Sequence, residues 1–318
     1  MNNKLKQTIA QACKQFIKDN DLNQAKFSHA TGVSQSVITH ILKENSTFTI
    51  RAGNDKTVII ADKYFNRLAR FIGLELNPTF WKNQATPQFT SIIANLEDAK
   101  QHGTTKIIIG ETGGGKTHTI NLFKRKYVAD TYIITVGSTD NLSDLIDKII
   151  DQLKITTGKT KSKKLRDIAL RLRSLKEDGQ KPQLIFDEAE YMKQPALASM
   201  KELYDHLNKF CSIILIGTEQ LIDNINILRK KNKPGIPQFY RRIKFGIRQL
   251  PAVDKTFKLF LNDIESNEVK KFLRRICDNY GELHDVLVPV KRESDRTGEP
   301  ITEQFIRKVL NLPTRMYA

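Results

Sequence analysis

Between Lys4 and Lys18, the apolar residues Ile9, Ala10, Cys13, Phe16 and Ile17 recur at the three- and four-residue spacing of one helix face. The stretch from Leu22 to Leu42 repeats that pattern in two short pieces. Ala25, Phe27 and Ala30 are expected to face inward on one helix and Gly32 to make a turn. Ser34 is then expected to cap a second helix packed through Val37, Ile38 and Ile41. That is a helix-turn-helix, whose second helix would present Gln35, Ser36, Thr39, His40 and Lys43 to a nucleic-acid groove or its phosphates. The same unit also serves as a packing or protein-docking element. Tyr64, Leu68, Phe71 and Ile72 predict one more amphipathic helix, and the pattern breaks at Asn77-Pro78 and again at Thr86-Pro87.

Downstream the period changes. Apolar runs at Lys106–Ile109, Thr131–Val136, Gln183–Phe186 and Ser212–Ile216 read as strands, separated by stretches long enough for crossover helices. A parallel α/β sheet is expected. From Pro251 onward the pattern is helical again. Phe257, Leu259, Phe260 and Leu261 predict one helix; Val269, Phe272, Leu273 and Ile276 a second; Leu283, Val286 and Leu287 a third. A capped start at Ile301–Gln304 predicts a fourth, buried through Phe305, Val309 and Leu310. The expected domains are a helix-turn-helix domain at 1–80, an α/β nucleotide-binding core at 81–250 and a helical lid at 251–318.

The first of these strands ends in GETGGGKT, Gly110 to Thr117, with the spacing G-x-x-x-x-G-K-[ST] of a P-loop. Gly110, Glu111, Thr112, Gly113, Gly114 and Gly115 would wrap phosphate oxygens with backbone N–H groups, and His118 follows in the same turn. Lys116 would reach the β and γ phosphates, and Thr117 would give its hydroxyl to Mg²⁺. About 70 residues on, Leu184-Ile185-Phe186-Asp187-Glu188 ends a strand in two carboxylates. Asp187 suits the shell of Mg²⁺, and Glu188 suits a base that polarises an attacking water. The run Ile213–Ile216 ends in Gly217-Thr218, where the Thr218 hydroxyl could sense a γ-phosphate. These motifs point to a nucleoside triphosphate site using ATP and Mg²⁺.

Charge adds a partner. Among 318 residues, 52 Lys and Arg stand against 35 Asp and Glu, a formal net charge of +17 that favours a polyanion. Two clusters stand out, Lys159-Thr160-Lys161-Ser162-Lys163-Lys164 and Arg229-Lys230-Lys231-Asn232-Lys233. Both are expected in loops, and neither carries interleaved aromatic residues for base stacking, so backbone tracking without sequence readout is expected. Cys13, Cys211 and Cys277 lie far apart, which suggests neither a disulfide framework nor a zinc site, and six scattered histidines form no HExxH. No signal-peptide core or run of 18 apolar residues is present, so a cytoplasmic, DNA-associated protein with no membrane partner is expected.

The order of P-loop, Asp-Glu strand end, Gly-Thr strand end, paired arginines and helical lid resembles the AAA+ ATPases. With a helix-turn-helix in front, it resembles more particularly the target-capture ATPases of Mu-like elements, the phage Mu transposition protein B family, and their relatives in Tn7-type transposons. The resemblance implies an arginine finger in Phe239–Ile243, either Arg241 or Arg242, and a second sensor turn at Tyr280–His284 with His284 where an arginine is usual. It also implies that Lys159, Lys161, Lys163 and Lys164 face the DNA. The activity it implies is ATP hydrolysis by a homo-oligomer, a helical filament or ring, that assembles on double-stranded DNA largely regardless of sequence. ATP binding would favour assembly and hydrolysis release, and the DNA would be delivered to a transposase. The alternatives are an ATP-regulated helix-turn-helix transcriptional regulator and a helicase or replication loader.

Overall fold

The computed structural model describes residues 1, 3–44, 46–52, 56–74 and 80–313; the break expected at Asn77-Pro78 lies outside them. The chain divides into two compact units, Met1–Thr79 with Leu122–Ala129, and Phe80–Asn121 with Asp130–Ala318.

In the first unit, helices α1 (Asn3–Asp19), α2 (Gln24–Thr31), α3 (Gln35–Leu42) and α4 (Asp62–Ile72) close around Ile9, Cys13, Phe27, Ile38, Ile41, Phe65 and Leu68. All seven are fully buried, and each large side chain contributes about 1.5–3 kcal/mol by leaving water. Phe27 meets Phe16 and Phe71 with ring centroids 6.1 and 5.7 Å away. The Asn23 side chain caps α2 by accepting from the Lys26 N–H at 2.8 Å, and the helix closes at Gly32. Two expectations differ. Ala25 is exposed, because Phe27 and Thr31 take the buried face of so short a helix. Ser34 stands at the start of α3, but its hydroxyl lies 3.3 Å from that of Ser36 and caps no backbone N–H. Between α3 and α4 an antiparallel pair, β1 (Thr49–Ala52) and β2 (Lys56–Ile59), forms with Thr49 opposite Ile59. Four-residue strands carry too little alternation to announce themselves.

The second unit holds a five-stranded sheet: β3 (Thr105–Ile109), β4 (Thr131–Thr135), β5 (Gln183–Asp187), β6 (Ser212–Gly217) and β7 (Ile247–Gln249). The spatial order is β4-β5-β6-β3-β7, and every pairing is parallel. Every residue of β5 and β6 is buried, the condition under which parallel strands read as unbroken apolar runs. Only β7 escaped that signal, since it is three residues long and largely exposed. Seven helices alternate with the strands: α5 (Pro87–His102), α6 (Lys116–Lys126), α7 (Leu142–Leu153), α8 (Lys161–Glu177), α9 (Gln194–Leu207), α10 (Glu219–Lys230) and α11 (Ile236–Ile243). The C-terminal end of α6, from Leu122, belongs to the first unit.

The C-terminal region is helical as α12 (Asn267–Ile276), α13 (Tyr280–Thr297) and α14 (Glu303–Leu310). Each starts at a side-chain cap: Ser266 accepts from Val269, Asn279 from Glu282 and Thr302 from Phe305. The helix expected through Phe257–Leu261 is absent. Thr256 N–H bonds the Asp254 side chain at 2.9 Å, and Phe257 sits at φ 49°, a left-handed conformation that no helix continues through. Phe257 and Leu261 are nevertheless buried against Phe272, Leu273 and Leu283.

Both basic clusters are also less loop-like than expected. Thr160 caps α8, accepting from the Lys163 N–H, so Lys161, Lys163 and Lys164 occupy its first turn. Arg229 and Lys230 close α10, and the Arg229 guanidinium stacks 4.1 Å over the Tyr240 ring. Periodic Leu165, Ile168, Leu172 and Leu175 bury one face of α8 and draw the lysines into the helix.

Candidate nucleotide site

β3 ends at the sheet position where the chain reverses its order, with β6 on one side and β7 on the other. Crevices at the carboxyl ends of parallel strands at such a point are where ligands bind. The P-loop fills this place, and α6 begins at Lys116, so its first N–H groups face whatever the loop holds. Gly113 sits at φ 71°, and a Cβ there would overlap the Asn279 side chain, so glycine is required twice over. The C-terminal helical region meets this loop: the Gly281 N–H donates to the Gly113 carbonyl at 3.1 Å.

A cleft of about 520 Å³ opens here. It is lined by Thr112–Thr119 from the loop and α6, by Asp187 and Glu188 from the end of β5, by Thr218 after β6, and by His284 from α13. Gly110 and Glu111 do not line it. Their carbonyls accept hydrogen bonds from Lys116 Nζ, each at 2.8 Å. Burial pulls the Lys116 ammonium below its ordinary value, opposed first by Glu190, then by Asp187, Glu111 and Glu188. An anionic phosphate would remove that penalty. Thr117 Oγ1 donates to Asp187 Oδ2 at 2.8 Å, and Asp187 Oδ1 accepts from the Glu188 N–H at 3.0 Å. Burial raises the Asp187 carboxyl above its usual range. A divalent cation between Thr117 and Asp187 would favour the ionised form, and this hydroxyl–carboxylate pair is a hard oxygen donor set suited to Mg²⁺. No group of three or more acidic, His or Cys residues among the described residues could hold a metal alone, so phosphate oxygens and water would complete the shell.

Glu188 is exposed and held at φ 55° at the head of a 3₁₀ turn, Ala189–Tyr191. That left-handed geometry costs about 1–2 kcal/mol for a side chain with a Cβ, and such strain gathers at functional sites. His284 stands edge-on to Trp81, ring centroids 5.1 Å apart, while Trp81 stacks on Phe260 at 4.5 Å. His118 Nε2 lies 2.7 Å from Asn83 Oδ1. These aromatic and amide groups also line the cleft. Trp81, Asn83, Phe260 and Glu190 all line the cleft and were missed from the sequence; the only signals were the lone Trp and the second carboxylate of Asp187-Glu188-Ala189-Glu190.

Arg241 and Arg242, both on α11, do not line the cleft. Arg242 is tied to Asp205 of α9 by Nε–Oδ1 at 2.7 Å and Nη2–Oδ2 at 3.1 Å, and its Nη1 donates to the Gln238 carbonyl. Arg241 is exposed and has no such partner among the described residues. Lys159, Lys161 and Lys163 are exposed, whereas Lys164 Nζ is paired with Asp147 at 2.5 Å. In the other unit, Gln35, Ser36 and Lys43 are exposed, and the Thr39 hydroxyl is within 2.9 Å of both Gln24 Oε1 and the Gln35 carbonyl.

This sheet, its P-loop and the helical region after it form an α/β P-loop fold of AAA+ type. Residues 99–225 match the family model described as an AAA domain. No curated protein matches the chain. Among solved structures it resembles Cdc6p from Pyrobaculum aerophilum at 14% identity and TM-score 0.55, over 78% of this chain and 72% of that one. It also resembles two Aeropyrum pernix proteins at TM-score 0.50. One is ORC2 in ADPNP–ADP complexes, with 16% identity over 73% of this chain and 71% of that one. The other is ORC1 in complex with DNA, with 12% identity over 76% and 68%. At these identities the likeness is one of fold. No helix among the described residues is long and apolar enough to cross a membrane.

Lys116→Ala is expected to weaken ATP binding at least tenfold, since no other lysine or arginine among the described residues lines the cleft. Titration with a fluorescent ATP analogue checks this; unchanged affinity would move the phosphates elsewhere.

Proposed function

We propose that the protein is an ATPase that assembles on double-stranded DNA in its ATP-bound form and is released by hydrolysis. The observation that carries this reading is the meeting of Lys116, Thr117, Asp187 and Glu188 in one cleft while Arg241, exposed and without a partner among the described residues, stands outside it. In this reading the loop and α6 N–H groups and Lys116 bind the phosphates, and Thr117 and Asp187 would hold Mg²⁺, which would supply positive charge against the phosphate oxygens. Glu188 takes the proton of the water whose oxygen attacks the γ-phosphorus as the bond to the β–γ bridging oxygen breaks. Arg241 of one copy completes the site of another, so hydrolysis depends on a homo-oligomer, ring or filament.

Loading or initiation on DNA is the favoured role, supported by the likeness in fold to Cdc6p and the ORC proteins, one of which is DNA-bound. Delivery of target DNA to a transposase is the second reading, favoured by the two-helix element of α2 and α3 ahead of the P-loop, with Gln35, Ser36 and Lys43 exposed. Strand opening or recruitment of a helicase would support the first; stimulation of strand transfer would support the second.

DNA contact is assigned to Lys159, Lys161 and Lys163 at the start of α8. Changing these three to Gln is expected to weaken ATP-dependent binding about equally for all duplex sequences. It should also flatten the slope of log K against log salt by roughly 0.9 per lost phosphate contact. Fluorescence anisotropy across a salt series measures this. An unchanged slope would move the contact to Arg229–Lys233 or to α3.

A further inference from the structure

Two buried oxygens at the end of the sheet have no hydrogen-bond partner among the described residues: Oε2 of Glu190 and Oγ1 of Thr218. Both residues line the nucleotide cleft. Glu190 lies in the 3₁₀ turn after β5, its carbonyl accepting from the Asn224 side chain of α10 at 3.3 Å. Thr218 heads α10 but caps none of its N–H groups with its hydroxyl. Gly217, the residue before Thr218, has no Cβ; one placed there would overlap Glu190 Oε2. The sheet thus keeps a glycine where it lets a carboxylate lie against the end of β6, although an unsatisfied buried acceptor is costly and such groups mark functional sites.

We propose that Glu190 is a second working carboxylate of the cleft, which orients the attacking water while Glu188 takes its proton. A water has two hydrogens to donate. One is directed to Glu188 and leaves with it; the other is held by Glu190. The Thr218 hydroxyl, which can donate only once, is then free to donate to the γ-phosphate. Glu190 is a positioning residue and gains no proton in the step. The inference rests on the proposed ATPase activity.

The test uses the full chain with Mg-ATP and duplex DNA, measuring kcat, KM, affinity for an ATP analogue and Tm. Glu190→Gln keeps the shape and removes the charge. It is expected to lower kcat at least tenfold, leave KM and nucleotide affinity within twofold, and leave Tm unchanged or higher, because a buried charge is gone. Gly217→Ala should displace the flexible carboxylate and lower kcat comparably. The double variant should be no more than threefold below the weaker single, because both changes remove one interaction. Glu190→Gln with wild-type kcat, or with kcat, affinity and Tm falling together, would overturn the proposal. A wild-type chain that hydrolyses no ATP would overturn the ATPase reading and this inference with it. A hydrolysing wild type beside an undiminished Glu190→Gln overturns this inference alone.

Discussion

Arg241→Ala is expected to lower DNA-stimulated ATP hydrolysis by roughly a thousandfold or more, the range by which an arginine supplied to a neighbour's γ-phosphate accelerates transfer. Nucleotide binding by the isolated chain should be unchanged, because Arg241 does not line its own cleft. Arg242→Ala should behave differently. It breaks a bidentate pair with Asp205, whose carboxyl is held below the usual range by its Lys201 and Arg242 bonds despite partial burial. That pair is partly exposed, so its loss should cost about 1 kcal/mol of stability, read by urea denaturation, while hydrolysis persists. Mixing Arg241→Ala with a Glu188→Gln chain tests action between copies. Each lacks a different half of the composite site, and recovered activity at intermediate ratios is expected. Lost hydrolysis in Arg242→Ala with full activity in Arg241→Ala would reverse the assignment.

Glu188→Gln is expected to lower the hydrolytic rate by about 10²–10⁴-fold, the contribution of a positioned base, while binding ATP normally. Because release is assigned to hydrolysis, this variant should stay on duplex DNA for much longer than wild type after ATP is added. Rapid-quench hydrolysis and a competitor-DNA chase measure the two effects. Wild-type turnover would remove Glu188 from the role of base.

What the sequence disclosed follows from how locally each feature is determined. The P-loop was legible because wrapping phosphate with backbone N–H groups demands glycines at fixed offsets, and β3, β5 and β6 because strands buried on both faces leave no polar alternation. Residues Phe257–Leu261 misled for the opposite reason. Their spacing suits a helix, yet the Asp254 side chain and the left-handed Phe257 decide the backbone before that spacing acts. Gly158 beside Lys159–Lys164 suits a loop, although Thr160 and the period of Leu165, Ile168 and Leu172 carry the helix. Arg241 and Arg242 are indistinguishable in the chain, since what separates them is Asp205, 37 positions from Arg242. Glu190 was overlooked because its place depends on Gly217 of a neighbouring strand.

The bond from Gly281 N–H to the Gly113 carbonyl has a mechanical meaning. The peptide that would embrace the phosphates is the same one the C-terminal helices hold. The α13 end cannot swing outward without tugging on the cradle itself. In the proposed ATPase, movement of the C-terminal helices and loosening of the phosphate cradle would therefore share one hinge point.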